Sequence, residues 1–262
     1  MLTAGLLAGL AAGLFGIGGG FIVVPALVIV LPLLGGAKSE YTHVAIGTSA
    51  ATIIITSIRS VTAHARRGAV EFEVLRTWGP WLVAGSFLGA LLASRIDGRA
   101  LTIIFGAGVL LMSLNFIVPR WSNIVLTDQM PGPVSRAGIA GGLGVFSSLL
   151  GIGGGTIAIL VMTWCGRSIH RAIATAAGIG TLIAVPSALS YAIFGATHKG
   201  LPWGSLGFVN LPAALAVSSM SIITAPLGVA LAHKLPSAPL KRIFGAYLVG
   251  IGVWTIWKAS KM

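Results

Sequence analysis

The feature that most constrains this chain is a succession of apolar segments separated only by short polar interruptions. They cover residues 2–34, 42–62, 77–94, 101–118, 134–163, 172–195, 205–232 and 239–257. A bilayer core of about 30 Å needs about 20 mostly apolar residues per helix, and only 8% of the residues are charged. The sequence therefore predicts an all-α, multi-pass integral membrane protein without a soluble domain. We expect the first segment to be structural and not a cleaved signal peptide, because no charged region precedes it.

A five-residue motif, Gly-Ile-Gly-Gly-Gly, interrupts the apolar segments twice, at residues 16–20 and 151–155. Each glycine costs roughly 1 kcal/mol relative to alanine in a helix interior, so both places are predicted helix breaks. A helix that restarts after such a break presents amide groups without intrahelical partners and the positive end of its dipole. That arrangement favours the binding of an anion.

The chain divides into two similar halves. Residues 119–133 are polar and rich in proline, which predicts a linker between repeat 1 (1–118) and repeat 2 (134–262). Residues 43–48 align with 170–175, and residues 88–107 align with 227–246. Repeats with glycine-interrupted segments at corresponding positions are typical of transporters that bind their substrate near the bilayer midplane. One difference between the halves is Pro25, which aligns with Leu160.

The distribution of the 17 basic residues favours one membrane topology. If the first segment of each half crosses the membrane, they divide eight against nine, and the halves are parallel repeats. If each glycine break is the tip of a re-entrant hairpin, they divide eleven against six, as the positive-inside rule requires. The hairpin arms would reach only about 20 Å each, too short to span. We therefore favour two pseudo-symmetric inverted repeats, each a re-entrant hairpin plus three transmembrane helices.

The net charge of +12 has two explanations that can both hold. Basic loops orient membrane proteins and contact anionic lipids, and a base-rich vestibule attracts an anionic solute. Nucleic-acid binding is not expected without a soluble basic domain. No nucleophile–base pair or cluster of metal ligands occurs at membrane depth, so we expect no enzymatic activity, catalytic residue, metal or cofactor.

Two copies of the glycine motif, each followed by a His-x-Ala-Ile-(Gly/Ala)-Thr stretch, resemble the TauE/SafE family of sulfite exporters over essentially the whole chain. The resemblance implies export of sulfite, sulfoacetate or a related small sulfur anion across the bacterial cytoplasmic membrane, without ATP hydrolysis. The alternative is a permease or channel-like facilitator for another small anion or sulfur-containing metabolite. The expected partners are the small anion, the lipid bilayer and, as one option, a second copy in a homodimer.

The candidate binding groups are backbone amides and hydroxyls. Two hairpin tips that meet would surround one oxyanion with amides; these belong to Gly18, Gly19, Gly20, Gly153, Gly154 and Gly155. The alternative is that the glycines only permit tight packing. Hydroxyl candidates are Thr48, Ser49 and Thr175, followed by Thr52 and Thr56. Their alternative role is a hydrogen bond to a carbonyl of their own helix.

Histidine and arginine provide the candidate proton and charge carriers. His43 and His170 align between the halves and suit sulfite, which exchanges a proton near neutral pH. Their alternative role is a hydrogen bond to a loop carbonyl or a lipid headgroup. Arg59 is a candidate intramembrane charge, with snorkelling to the interface as the alternative. Arg167 and Arg171 suggest an electropositive mouth beside His170, and Cys165 is expected to be a packing residue.

Overall fold

A computed structural model describes residues 1–117, 125–232, 234 and 237–261 of the chain. Ten α-helices occur within these residues: α1 Leu2–Phe15, α2 Gly20–Val30, α3 Tyr41–Ala65, α4 Phe72–Arg95, α5 Gly98–Ile117, α6 Pro133–Leu150, α7 Gly155–Trp164, α8 Ile169–Gly195, α9 Leu211–Ala232 and α10 Ser237–Ser260. Two 3-10 turns, Leu31–Leu34 and Lys38–Glu40, join α2 to α3. Strands β1 Ser205–Leu206 and β2 Val209–Asn210 form an antiparallel hairpin.

Long apolar helices dominate this architecture. Within the described ranges, α3, α5, α8, α9 and α10 are long and apolar enough to cross a membrane. Helix α4 has 24 residues, but Glu73, Arg76 and Arg95 make it less apolar. The predicted helical membrane class is therefore confirmed.

Both predicted glycine breaks are confirmed. Helix α1 ends one residue before Gly16 and α2 begins at Gly20, while α6 ends at Leu150 and α7 begins at Gly155. The residues that end α1 and α6, Gly16 and Gly151, have φ angles of +66° and +61°. Glycine adopts this left-handed conformation without the steric penalty that other residues incur.

Stripes of small residues bring helix backbones together. The glycines of α1 lie against α9, and those of α4 lie against α6, at places where a Cβ atom would collide with the facing backbone. The contacts are Gly5 with Val217, Gly9 with Ser221, Gly13 with Ala225, Gly85 with Gly141 and Gly89 with Val145. Both helix pairs are parallel, because the residue numbers of the contacts rise together along the two helices. These stripes serve internal packing, and a homodimer stays a prediction.

The helices of one half pack mainly against helices of the other half. Helix α1 packs along α9 and α6 packs along α4, while α3 packs along α8 and α5 along α10. The last two pairs run antiparallel: Gly47 of α3 meets Tyr191 of α8, whereas Ser57 meets Gly180, farther back along α8. In the same way Gly106 of α5 meets Ile256 of α10, and the later Ile117 meets Gly245. Each helix of one half therefore has a counterpart in the other.

The predicted segment 205–232 begins too early. Residues 205–210 form the β-hairpin, and α9 starts at Leu211. Gly204 and Gly207 have φ angles of +78° and +54°, which favour turns over helix. The Asn210 Oδ1 atom accepts a hydrogen bond from the Ala213 amide at 3.0 Å and so fixes the start of α9.

Part of the predicted linker 119–133 lies outside the described residues. In the described part, the amides of Leu126 and Thr127 donate to the Trp164 carbonyl at 2.8 and 3.1 Å. Helix α6 then begins at Pro133. The segment before α6 therefore lies against the end of α7.

We predict that Gly89→Ala destabilises the protein whereas Gly142→Ala does not. A Cβ at Gly89 would lie 2.9 Å from both the Ser148 Cβ and the Val145 Cα, and overpacking of this kind costs about 1–3 kcal/mol. A Cβ at Gly142 meets nothing within 4 Å, so alanine there is neutral or slightly stabilising. Thermal unfolding in detergent measures both. Equal melting temperatures of the two variants would contradict the close packing of α4 against α6 at Gly89.

Candidate functional site

The two glycine breaks cross each other in backbone contact. A Cβ on Gly20 would collide with the carbonyl oxygen of Gly151, and a Cβ on Gly155 would collide with the carbonyl oxygen of Gly16. The start of α2 therefore touches the end of α6, and the start of α7 touches the end of α1. We call this contact the tip crossing.

The tip crossing brings opposite helix ends together. The positive end of one helix dipole lies beside the negative end of another, which is a favourable arrangement in a low-dielectric interior. Neither Gly19 before α2 nor Gly154 before α7 has a side chain that could accept from the first-turn amides. Those amides therefore depend on backbone carbonyls or on a ligand.

All six candidate glycines lie at the tip crossing. Local geometry explains five of them, because Gly18, Gly19 and Gly154 have positive φ angles and the other two leave no room for a Cβ. Gly153 is less constrained, since its φ angle is not positive and a Cβ there would lie 3.1 Å from the Ile17 oxygen, which is close but not a collision. Tight packing thus accounts for most of the motif. A role in ligand binding stays a prediction.

Thr48 and Thr175 perform the same structural task in the two halves. The Thr48 hydroxyl accepts from the Asn210 amide at 2.8 Å, and the Thr175 hydroxyl accepts from the Glu71 amide at 2.9 Å. Asn210 and Glu71 are the residues that immediately precede α9 and α4. Each threonine therefore anchors the start of a long helix from the other half of the chain, and substrate binding by either stays a prediction.

The remaining hydroxyl candidates of α3 bond to backbone carbonyls. Ser49 Oγ donates to the Gly151 carbonyl at 2.8 Å and so holds the second break. Thr52 donates to the Ser49 carbonyl and Thr56 to the Thr52 carbonyl, both at 2.8 Å. Thr52 thus bonds within its own helix, Thr56 also lies 3.1 Å from Ser221 Oγ of α9, and Ser49 links α3 to the tip crossing.

The two candidate histidines have different surroundings. His43 is buried, and its Nε2 lies 3.2 and 3.0 Å from the carbonyl oxygens of Ala93 and Ile96 at the end of α4. Its ring stacks on Phe208 with a centroid distance of 5.0 Å. His170 is exposed at the start of α8. His43 therefore bonds the carbonyls at the C-terminal end of α4, and proton transfer by either histidine stays a prediction.

Two of the candidate arginines form ion pairs at the opposite end of the protein from His43. Arg167 Nε lies 3.2 Å from one carboxylate oxygen of Glu71, and Arg171 lies 3.9 Å from the other. Arg59 is exposed, and its Nε lies 3.5 Å from the Ile222 carbonyl. Arg167 and Arg171 thus join the start of α8 to the start of α4.

Cys165 is buried between α7 and α8. Burial raises the pKa of its thiol, and the nearby Arg167 guanidinium opposes this shift without cancelling it. A thiol of raised pKa in such a place is unreactive, which agrees with a packing role.

Two buried serines that the sequence analysis did not single out lie beside the second break. A Cβ on Gly154 would lie 2.8 Å from Ser147 Oγ, and a Cβ on Gly180 would lie 2.7 Å from Ser57 Oγ. Neither hydroxyl has a hydrogen-bond partner among the described residues. A buried polar group without a partner is costly. These hydroxyls therefore mark a place where a polar ligand would restore the missing hydrogen bonds.

The first break is lined by different side chains. A Cβ on Gly18 would lie 2.9 Å from the Ile53 side chain. Ile53 aligns with Gly180 when residues 43–48 are aligned with 170–175. A Cβ on Gly180 would lie 3.3 Å from the Gly153 carbonyl, so an isoleucine side chain there would cover the second break. Comparison of the repeats was the signal that could have found Gly180.

The charges around the tip crossing suit an anion. The five acidic residues all lie at helix ends or in connecting segments: Glu40, Glu71, Glu73, Asp97 and Asp128. Within the described residues, no group of three His, Cys, Asp or Glu side chains could hold a metal ion. The second break therefore offers neutral hydrogen-bond donors without a nearby carboxylate.

Comparison with known proteins identifies the family. Residues 1–255 match the family model described as "Sulfite exporter TauE/SafE". The chain belongs to this family. Its relatives include a "Probable membrane transporter protein" of Haemophilus influenzae, 34% identical over 96% of this chain and 95% of that protein. A protein of the same description from Methanocaldococcus jannaschii is 28% identical over 98% of this chain and 94% of that protein.

A more distant relative has the same description. The "Probable membrane transporter protein YunE" of Bacillus subtilis is 25% identical over 98% of this chain and 97% of that protein. No solved structure matches the chain. The TauE/SafE family match, these relatives and the long apolar helices together make this chain a multi-pass membrane transporter.

We predict that Ser49→Ala destabilises this TauE/SafE protein by about 1 kcal/mol, because it leaves the Gly151 carbonyl without the hydroxyl that bonds it. Ser57→Ala is the matched control on the same helix. It removes a buried hydroxyl that has no partner in the described part of the chain, so stability is unchanged or slightly higher. Thermal unfolding in detergent compares them. A larger loss for Ser57→Ala would refute the assignment of partners.

Proposed function

We propose that this TauE/SafE member is a secondary transporter that exports a small sulfur oxyanion, sulfite or an organosulfonate such as sulfoacetate, across the bacterial cytoplasmic membrane. The observation that carries the proposal is the pair of buried serine hydroxyls beside the second break, which have no hydrogen-bond partner among the described residues. The description of the matching family supports sulfite as the first candidate.

Hydrogen bonds from neutral groups would hold the anion. Ser57 and Ser147 would donate their hydroxyl protons, and the first-turn amides of α7 would donate along the positive end of its dipole. No lysine or arginine lies at the tip crossing. The anion would thus be bound without a permanent counter-charge, so that release remains easy.

We further propose that the halves are inverted repeats with re-entrant hairpins. The directions of the helix pairs support this topology: α1 is parallel to α9, α6 is parallel to α4, and the α3–α8 and α5–α10 pairs are antiparallel. With α3 and α4 crossing in opposite directions, α1 and α6 must then enter from opposite faces. Alternating access would follow from movement of one hairpin relative to the other at the tip crossing.

The ion pair of Glu71 provides a contact that would hold one face closed. It joins the start of α4 to Arg167, just before α8. At the other face, His43 joins the start of α3 to the end of α4. Opening of either face would require its contact to separate. The free energy of substrate binding could drive that separation.

The second candidate function is a permease or channel-like facilitator for another small anion or a sulfur-containing metabolite. The observation that favours it is the chemistry of the site, since hydroxyl and amide donors do not distinguish sulfite from other small oxyanions. Competition between anions decides between the two functions.

We predict that Ser57→Ala and Ser147→Ala each reduce sulfite flux by about tenfold, as expected for the loss of one hydrogen bond to a charged group. The assay measures efflux of labelled sulfite from proteoliposomes, with sulfate and a sulfonate as competitors. Ser113→Ala is the control, because the Ser113 hydroxyl donates to the Leu110 carbonyl within α5.

Each result of this assay has a defined meaning. Saturable sulfite flux that falls only in the Ser57 and Ser147 variants, with unchanged melting temperatures, supports the site. Flux that is equal in all variants refutes it. Absence of sulfite and sulfonate flux in folded wild-type protein refutes the sulfur anion and leaves the second candidate.

The proposed topology predicts that Arg67→Cys and Lys199→Cys are labelled from opposite faces of the membrane. Both positions are exposed, and the native Cys165 is buried. An impermeant thiol reagent added to right-side-out and to inside-out vesicles measures the labelling. Labelling of both cysteines from one face would instead support parallel repeats, in which the first segment of each half crosses the bilayer.

A further inference from the structure

A basic cleft lies at the end of the protein where α3 and α5 begin and α10 ends. Its volume is about 670 Å³. The side chains of Lys38, Arg99, Lys258 and Lys261 line it, together with one carboxylate, Asp97. The name basic cleft refers below to these five residues.

Among the described residues, Asp97 is the one carboxylate that lines the basic cleft, against four cations. Asp97 Oδ1 accepts from the Ala100 amide at 2.9 Å and thereby caps the start of α5. In the described ranges, the carboxylates that form ion pairs within 4 Å are Glu40 and Glu71, and neither pairs with a cation of the cleft. The N-terminal end of α5 adds its partial positive charge. The cleft therefore attracts an anion.

Two tryptophans place the basic cleft at the depth of lipid headgroups. Lys258 Nζ lies 5.1 Å from the Trp254 ring centroid, and Lys261 Nζ lies 3.9 Å from that of Trp257. Lys258 donates to the Val28 carbonyl at 3.0 Å, which uses one of its three N–H groups. Tryptophan and lysine at the end of a spanning helix are typical of the membrane–water interface.

The surface beside the basic cleft is apolar and exposed. Val253 and Trp257 on the outer side of α10 have 56% and 54% of their surface accessible, and Leu33 has 82%. Hydrocarbon chains would cover this surface in a bilayer. A ligand with a phosphate group and acyl chains fits both the charge and the apolar border.

We infer that the basic cleft binds the phosphate of an anionic phospholipid headgroup, whose acyl chains lie along α10. Recognition would combine attraction to four cations with hydrogen bonds from Lys258, Lys261 and Arg99. This site is separate from the tip crossing and does not depend on the proposed substrate. The proposed topology decides only which leaflet supplies the lipid.

The test uses the full chain in a zwitterionic detergent and titrates phosphatidylglycerol or phosphatidylcholine. We expect phosphatidylglycerol to raise the melting temperature. The Lys258→Gln/Lys261→Gln double variant should weaken its apparent affinity by about tenfold or more, since each cation near an anionic lipid contributes about 1 kcal/mol. Lys199→Gln is the control, an exposed lysine at the same end that does not line the basic cleft.

Two results would overturn the inference. One is an equal response of wild type and double variant to phosphatidylglycerol. The other is an equal stabilisation by inorganic phosphate or glycerophosphate at the same concentration, which would assign the basic cleft to a free anion. A preference for phosphatidylglycerol over phosphatidylcholine that is kept in Lys199→Gln and lost in the double variant supports the lipid.

Discussion

The backbone contact between the two glycine breaks is the constraint on which the rest of this structure depends. A broken helix inside a membrane exposes amides and carbonyls that lipid cannot satisfy. Here the start of α2 meets the Gly151 carbonyl and the start of α7 meets the Gly16 carbonyl, so each break lies against the other. In the proposed re-entrant topology, neither break could lie within the bilayer alone. The long helices α3 and α8 enclose the contact, which keeps irregular backbone away from lipid.

The duplicated His-x-Ala-Ile-x-Thr stretch is explained by a hydrogen bond that occurs once in each half. In each half its threonine hydroxyl accepts from the amide that precedes a long helix, Asn210 in one case and Glu71 in the other. The same bond therefore positions α9 and α4, which are equivalent in the two halves. A motif that is repeated in this way reflects a repeated structural requirement. The presence of Thr48 and Thr175 in both halves is consequently no argument for a substrate contact.

Much of the fold could be predicted from the sequence because its signals are local. Apolar segments of membrane length, and glycines that break helices, act through the nearest residues, so the ten helices and both breaks were foreseeable. The β-hairpin before α9 was missed because its residues are apolar and only Gly204 and Gly207 indicate the turns. The site was less predictable, since Ser57 and Gly180 come together only through the packing of α3 on α8.

Divergence between the repeats indicates where function resides better than their similarity does. Symmetry alone would give the two breaks the same surroundings, yet an isoleucine faces Gly18 whereas its counterpart near Gly153 is Gly180. Ser147 aligns with Ala12, and Ser57 aligns with Ala184. Each serine beside the second break therefore corresponds to an alanine in the other repeat. The shared glycines maintain the tip crossing in both halves. The unshared residues place unpartnered hydroxyls beside only one of the two breaks, and that is where we propose that the anion binds.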